Sequence, residues 1–138
     1  MNFQVNSIKE LKPVFSQLEP LFRKYKIILL NGDMGVGKTT FIKGFCKFIK
    51  IEDRVNSPTF GLVNEYKIDD KESIFHFDLY RVDDEEELYD IGFEEYIDSG
   101  NICFIEWPTI AQNFIPFEHI SLDLLLGENQ KREIIVNM

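Results

Sequence analysis

Ile27-Ile28-Leu29-Leu30 runs through Asn31 directly into Gly32-Asp33-Met34-Gly35-Val36-Gly37-Lys38-Thr39. The first four residues are apolar and partly β-branched, with no polar alternation, which predicts a central strand covered on both faces. The next eight match the pattern G-x-x-x-x-G-K-[ST]. The apolar residues that come next recur at helical spacing, with lysines away from them: Phe41, Ile42, Phe45, Phe48 and Ile49. Strand, glycine-rich loop and helix therefore occur in the order that a phosphate-binding loop requires.

The glycine-rich loop, Gly32–Thr39, predicts a nucleoside triphosphate site. Its glycines allow successive backbone N–H groups to turn toward phosphate oxygens. Lys38 would reach the β- and γ-phosphates, and the Thr39 hydroxyl would bind magnesium. The N-terminus of the next helix adds the positive end of its dipole. We therefore expect ATP and Mg²⁺ as cofactors, and not GTP, because the sequence contains no Asn/Thr-Lys-x-Asp motif for guanine.

A carboxylate from another strand must complete such a magnesium site, and the sequence offers two candidates. Glu106 follows the apolar run 102–105, where an acid is costly unless it faces a cation or a polar cleft. Asp78 alternates with His76, so both project from one face of their strand. We expect Glu106 on the metal side and Asp78 to orient water or support the site, although either acid could simply end a strand.

Two pairs of polar residues have the spacing of a capping box at a helix N-terminus. Ser7 and Glu10 have capping-box spacing before an amphipathic stretch in which Pro13 lies near the start or forms a kink. Asp84 and Glu87 have the same spacing at the start of an acidic helix. Two helices are predicted from these signals.

The remaining apolar runs predict strands at 60–66, 74–80 and 102–105, followed by a closing antiparallel hairpin from 120–126 and 134–136. Strands thus alternate with helices, and no repeat or linker divides the chain. We predict an α/β protein with one domain, 1–138, and a three-layer P-loop NTPase fold. Its central sheet should be mixed, partly parallel and flanked by helices.

Composition limits the function classes. The net charge of -9 argues against broad nucleic-acid binding, although residues 1–50 carry nine basic and three acidic residues. No apolar run approaches the ~20 residues of a membrane span, and no secretory signal is evident. Cys46 and Cys103 lie in apolar segments, as free thiols do in a reducing compartment. We expect a cytoplasmic protein.

Three further segments each allow two interpretations. Ser57-Pro58-Thr59-Phe60 follows the loop helix, where related NTPases have a mobile threonine that senses phosphate and metal, but it could be an ordinary turn. Trp107 could form a wall of the site or pack in the core, and packing is favoured on physical grounds alone. Residues 83–98 contain nine acids and no basic residue, which is typical of a solvated helix face but could dock a basic partner.

Together the motifs resemble the TsaE family, the bacterial ATPase of tRNA threonylcarbamoyladenosine synthesis. The resemblance runs in order through four segments: the loop with Thr40 and Phe41, residues 57–60, His76-Phe77-Asp78-Leu79-Tyr80-Arg81, and Glu106-Trp107-Pro108. The last three are weak singly, whereas all four in one short chain are specific.

The resemblance implies a small ATPase that works with two partner proteins, the transferase subunit and its paralogue. These carry out threonylcarbamoyl transfer to adenosine 37 of tRNA, and direct tRNA contact by this chain is left open.

The resemblance also implies roles for individual residues. Thr39 and Glu106 would ligate magnesium, while Lys38 and the loop from Gly32 to Thr40 would hold phosphates. Asp78 and Thr59 would support hydrolysis. Trp107 would lie beside the nucleotide, and Ser7 and Arg132 would contact the nucleobase.

Two other functions use the same loop. A small-molecule kinase would phosphorylate a bound hydroxyl, but the sequence shows no Arg-rich lid and little room for an acceptor domain. A nucleotide-sensing interaction module would dock through its acidic helix. For ATP hydrolysis, the resemblance favours slow turnover, since no arginine is evidently available to stabilise the transferring phosphoryl group unless Arg81 or a partner supplies one.

Overall fold

The computed structural model describes residues 1–51, 61–128 and 131–138. Within these residues, seven strands form one sheet in the order β1-β7-β6-β2-β5-β4-β3. The strands are β1 Asn2–Val5, β2 Ile27–Asn31, β3 Val63–Lys67, β4 Ser73–Asp78, β5 Ile102–Glu106, β6 Ile120–Leu126 and β7 Arg132–Asn137. The predicted strands at 74–80, 102–105 and 120–126 are confirmed within a few residues. The predicted strand from Phe60 begins at Val63, and Phe60 itself lies outside the described residues.

The sheet is mixed, as predicted. Strands β6, β2, β5 and β4 are parallel neighbours at its centre. β1, β7 and β3 pair in antiparallel fashion toward the two edges, and β6 and β7 form the predicted closing hairpin. Because β2, β4 and β5 run in one direction, their carboxyl ends meet at one edge of the sheet. Glu106 is opposite Leu30 on one side and Asp78 on the other.

Helices cover both faces of the sheet, which confirms the three-layer architecture. The helices are α1 Leu11–Tyr25, α2 Lys38–Phe48, α3 Glu85–Asp90 and α4 Phe93–Ile97, with 3-10 turns at Ile8–Glu10 and Pro108–Phe114. Ile28 and Leu30 of β2 belong to the core under α1 and α2, whereas Ile27 belongs to the core under α3 and α4. This alternation explains why residues 27–30 of β2 are all apolar.

Aromatic side chains hold α2 against the sheet. Phe45 of α2 meets Phe22 of α1 and Phe104 of β5 in edge-to-face pairs, with ring centroids 5.1 Å and 5.7 Å apart. All three rings are fully buried. Such pairs contribute beyond their buried area, so they fix the position of the helix that begins at the glycine-rich loop.

One of the two predicted caps is wrong. Ser7 makes no side-chain cap, because a 3-10 turn follows it, and Glu10 instead accepts a hydrogen bond from the Asn6 backbone N–H at 2.6 Å. The capping box of Asp84 and Glu87 is confirmed: Asp84 Oδ1 accepts from the Glu86 N–H at 2.8 Å, and Glu87 Oε2 accepts from the Asp84 N–H at 3.3 Å.

The helix capped by Asp84 ends at Asp90, and Gly92, with a φ of 72°, separates it from α4. Pro13 is the third residue of α1, near the helix start, where proline is tolerated. Among the residues that the structure describes, no helix is long and apolar enough to span a bilayer.

Candidate functional site: a glycine-rich loop and a buried carboxylate

The glycine-rich loop joins the end of β2 to the first residue of α2. Gly37 lies immediately before the helix with a φ of 107°, a conformation that favours glycine. At Gly32 an added Cβ would lie 2.8 Å from the Leu124 carbonyl oxygen, so the close approach of β6 also requires glycine. Backbone constraints therefore account for glycine at both ends of the motif.

Lys38 points back over the loop and is only 5% exposed. Its Nζ donates to the Gly32 carbonyl oxygen at 2.7 Å and lies 3.6 Å from the centroid of the Trp107 ring. Burial lowers the pKa of Lys38, while the carboxylates of Glu106, Asp78 and Asp33 act in the opposite direction. The ammonium group is thus fixed at the centre of the site by a carbonyl and an aromatic face.

Glu106 ends β5 beside Thr39 and is 3% exposed. Its Oε2 accepts a hydrogen bond from Thr39 Oγ1 at 2.8 Å and contacts His76 Nε2 at 2.5 Å. Burial by itself raises the pKa of Glu106, but the hydrogen bonds from His76 and Thr39 and the charge of Lys38 outweigh it, so the pKa is lowered. A charged carboxylate therefore lies against the hydroxyl of the loop.

These residues line a cavity of about 510 Å³. Asp78, Tyr80 and Arg81, at and just after the end of β4, also line it. Asp78 Oδ1 accepts from the Tyr80 backbone N–H at 3.1 Å. The cavity also includes Met34, Gly35, Gly37, Thr40, Gly61 and Leu62. Its size suits a nucleotide-sized ligand.

Trp107 forms part of this cavity and is half-buried, so core packing alone does not describe it. Its backbone has a φ of 57°, which is uncommon for a residue with a side chain. The turn brings the indole over Lys38 and against the Tyr80 ring, at a centroid distance of 5.0 Å. Strained backbone of this kind is concentrated at functional sites.

Ser7 and Arg132 lie on a second, smaller cavity of about 150 Å³ on the other side of Gly37 and Thr40. Arg132 Nε donates to the Val36 carbonyl oxygen at 2.8 Å, which ties β7 to the loop. The rest of the cavity wall is mostly apolar: Val5, Ile8, Leu11, Phe41, Leu124 and Ile134.

Some predicted residues do not line the larger cavity. The Val36 side chain packs in the core, and Gly32 and Asp33 lie with it on the side of the loop that faces β6. Any contact from Val36 to phosphate would therefore come from its backbone. Thr59 and the rest of Ser57–Phe60 lie outside the described residues.

Tyr80, Gly61 and Leu62 were not predicted as site residues. For Tyr80 a signal existed, because it lies two residues beyond Asp78 at a strand's carboxyl end. From the sequence, His76 was noted only because it shares a face of its strand with Asp78. A histidine on the same face of a buried strand as an acid indicates a buried polar contact, and this signal could have marked His76 as a site residue.

Comparison with known proteins agrees with this arrangement. Residues 5–134 match the family model of the threonylcarbamoyl adenosine biosynthesis protein TsaE. The tRNA threonylcarbamoyladenosine biosynthesis protein TsaE of Rickettsia bellii is 39% identical over 129 residues, covering 93% of this chain and 88% of that protein. The protein of the same name from Bacillus subtilis is 38% identical over 108 residues, covering 78% of this chain and 66% of that relative, just under two thirds of its length.

The crystal structure of YdiB from Bacillus subtilis superposes with a TM-score of 0.73 at 25% identity, covering 97% of this chain and 82% of that one. The similarity therefore extends to the whole arrangement of strands and helices as well as to the motifs. From the family match and the curated relatives, the chain belongs to the TsaE family.

Proposed function

We propose that this chain binds and slowly hydrolyses MgATP as a component of the machinery that makes threonylcarbamoyladenosine at position 37 of tRNA. The observation that carries the proposal is the 2.8 Å contact between Thr39 Oγ1 and Glu106 Oε2 at the wall of the larger cavity. A loop hydroxyl next to a strand-end carboxylate is the donor set that magnesium takes in P-loop proteins. The TsaE relatives supply the pathway.

The donor set fits magnesium with nucleotide better than magnesium alone. Within 1–51, 61–128 and 131–138, no group of three or more His, Cys, Asp or Glu side chains could hold a metal ion. Thr39 and Glu106 would hold the ion through hard oxygen atoms, and the nucleotide phosphates and water would supply its other ligands. When bound, magnesium offsets the negative charge on the phosphate oxygens.

The other side chains and backbone groups of the site have separate roles in nucleotide binding and hydrolysis. Lys38 neutralises phosphate charge, and the backbone N–H groups of the loop orient the phosphates. Asp78, next to Glu106 at the neighbouring strand end, orients the attacking water. Trp107 shields the site from solvent. We assign Thr59 a supporting role in hydrolysis from the resemblance alone.

The smaller cavity is our candidate for the nucleobase. It adjoins the loop at Gly37 and Thr40, and its apolar wall with the Ser7 hydroxyl and the Arg132 guanidinium suits a flat, hydrogen-bonding ring. We assign the triphosphate to the larger cavity and the base to the smaller one, and both cavities are lined by Gly37 and Thr40 near the start of α2. Adenine is preferred because the sequence lacks the guanine motif.

The proposed partners are the transferase subunit and its paralogue, which carry out the transfer itself. Mixing this chain with both proteins, tRNA, ATP and the threonylcarbamoyl donor should give nucleotide-dependent assembly and modified tRNA. Lys38→Ala should abolish both. Lys43→Ala, an exposed lysine of the same helix, is the matched control and should leave them unchanged. Equal modification with the Lys38→Ala chain, or without the chain, would exclude the proposal.

A further inference from the structure

His76 is a buried histidine whose side chain makes one hydrogen bond within the part of the chain that the structure describes, and that bond goes to Glu106. The side chain is on β4, 3% exposed, and its Nε2 lies 2.5 Å from Glu106 Oε2. Nδ1 has no hydrogen-bond partner among the described residues. The ring of Tyr66, on β3, stacks beside it at a centroid distance of 6.4 Å and an interplanar angle of 19°.

This arrangement is costly for a residue that only fills space. Burying a polar nitrogen without a partner is unfavourable, and an aliphatic side chain would fill the position without that cost. The imidazole offers one thing that an aliphatic residue lacks, which is a donor directed at Glu106. The contact with Glu106 is therefore the feature that explains histidine at this position.

The geometry of the carboxylate shows what that donor does. Thr39 of α2 and His76 of β4 both approach the same oxygen, Oε2, from different elements. Two donors from separate elements fix the plane of the carboxylate, whereas a single donor leaves it free to rotate. Both side-chain hydrogen bonds of Glu106 among the described residues are made by Oε2 and leave Oε1 out of them, and Glu106 lines the larger cavity.

We propose that His76 is a positioning residue: by donating from Nε2 to Oε2, it holds Glu106 so that Oε1 stays available to magnesium or to a water bound to magnesium. This inference rests on the proposed MgATP site and deepens it. Partners that orient a metal-binding carboxylate typically change metal affinity 10- to 100-fold when they are removed, about the size of effect expected here.

A matched pair of substitutions isolates the donor. In His76→Gln the amide nitrogen reaches roughly the position of Nε2, whereas in His76→Asn it ends one bond short. Both variants replace the ring with an amide, so they share the loss of packing against Tyr66. His119→Gln, at the partly buried second histidine of the chain, is the control for loss of a histidine.

The measurement is ATP affinity by calorimetry as a function of free Mg²⁺, and again with EDTA. In His76→Asn, the Mg²⁺ concentration that gives half of the full increase in ATP affinity should rise by ~10-fold. In His76→Gln, this concentration should stay within ~3-fold of its value for the unaltered protein. Affinity in EDTA should be the same for all four proteins. An unchanged Mg²⁺ requirement in His76→Asn, or equal shifts in both variants, would overturn the inference while leaving the MgATP site intact. If Mg²⁺ does not strengthen ATP binding to the unaltered protein, both proposals fail.

A second measurement needs no His76 variant and decides the question if His76→Asn does not fold. Nitrogen NMR of the imidazole in the unaltered protein should show a proton on Nε2 of His76. That signal should shift in Glu106→Gln and stay constant in Glu94→Gln, an exposed acid of α4. An Nε2 without a proton would overturn the inference.

Discussion

Two acidic regions of this protein differ in nearly every physical respect. Residues 83–98 contain nine acids, most of them exposed, with side chains largely directed to solvent. The end of β5 contains one acid, Glu106, that is almost completely buried and held by two donors. The comparison teaches that acidic density is a poor guide to chemistry. A single buried carboxylate that accepts hydrogen bonds from two donors is a better indicator of a functional site.

A second contrast lies within β5 itself. Cys103 and Glu106 are both buried ionisable groups, three residues apart on one strand. The Cys103 thiol donates to the backbone carbonyl oxygens of Tyr96 and Asn101, at 3.4 Å and 3.6 Å, and these oxygens accept a hydrogen bond but cannot stabilise a thiolate. Glu106 lies against donors. Burial therefore keeps one group neutral, while hydrogen bonds keep the other charged.

The largest expected effect concerns the cysteine thiols, which burial keeps neutral. Burial raises the pKa of Cys46 and of Cys103 to about 12 from an ordinary 9.0. Because the thiolate is the reactive form, a rise of the pKa from 9.0 to about 12 lowers reactivity by ~1000-fold. A disulfide reagent at pH 8 should modify both thiols only after unfolding, and fast modification of the folded protein would contradict the contrast.

The same shift has a consequence for stability. Above pH 9 the unfolded chain releases its thiol protons while the folded chain keeps them until about pH 12. The cysteine contribution to the free energy of unfolding should therefore fall as the pH rises through this range.

Lys38 gives the next largest effect, because it is the cation of the buried site. Lys38→Ala should weaken MgATP binding by ~100-fold, or about 2.7 kcal/mol, since a charged donor to phosphate is lost. Lys43→Ala, on the exposed face of the same helix, should change the affinity less than ~2-fold. Similar losses in both variants, measured by calorimetry, would mean that general positive charge and not the buried ammonium binds the nucleotide.

Glu106 and the acidic segment can be compared directly. Glu106→Gln keeps the shape but removes the charge, so Mg²⁺-dependent strengthening of ATP binding should fall by ~10-fold. A triple variant with three neutralised acids of the segment, Glu86→Gln, Glu94→Gln and Glu95→Gln, should keep the full Mg²⁺-dependent strengthening of ATP binding. These three side chains are exposed. A larger effect from the triple variant would reverse the comparison.

The smallest expected effect concerns Asp84, the acid of the segment that caps α3. Asp84→Ala removes the cap of α3 and should lower the free energy of unfolding by ~1 kcal/mol. Glu94→Gln should change it by less than ~0.5 kcal/mol. Denaturant unfolding separates the two, and equal values would show that the capping box does not stabilise the helix.

Local sequence patterns predicted much of this fold. The apolar run of β2, the glycine pattern and the helical spacing after it predicted the strand, loop and helix without long-range information. The position of Glu106 beside Thr39 was also predictable, because the carboxyl ends of parallel strands meet at one edge. These features depend on residues close in sequence or on a general rule of topology.

Other features depend on three-dimensional register and were not predictable. The contact of His76 with Glu106 requires β4 and β5 to be parallel neighbours with Asp78 opposite Glu106. The indole of Trp107 reaches Lys38 only through a left-handed backbone that nothing in the residue type indicates. Ser7 fails to cap because a 3-10 turn follows it, and local spacing does not distinguish that turn from an α-helix.

The central claim is that the loop and Glu106 together bind nucleoside triphosphate with magnesium. Calorimetric titration of the unaltered protein with ATP, in Mg²⁺ and in EDTA, tests it most directly. We predict saturable binding at one site per chain that is clearly tighter in Mg²⁺. No saturable binding at millimolar ATP, or equal binding in Mg²⁺ and in EDTA, would contradict it.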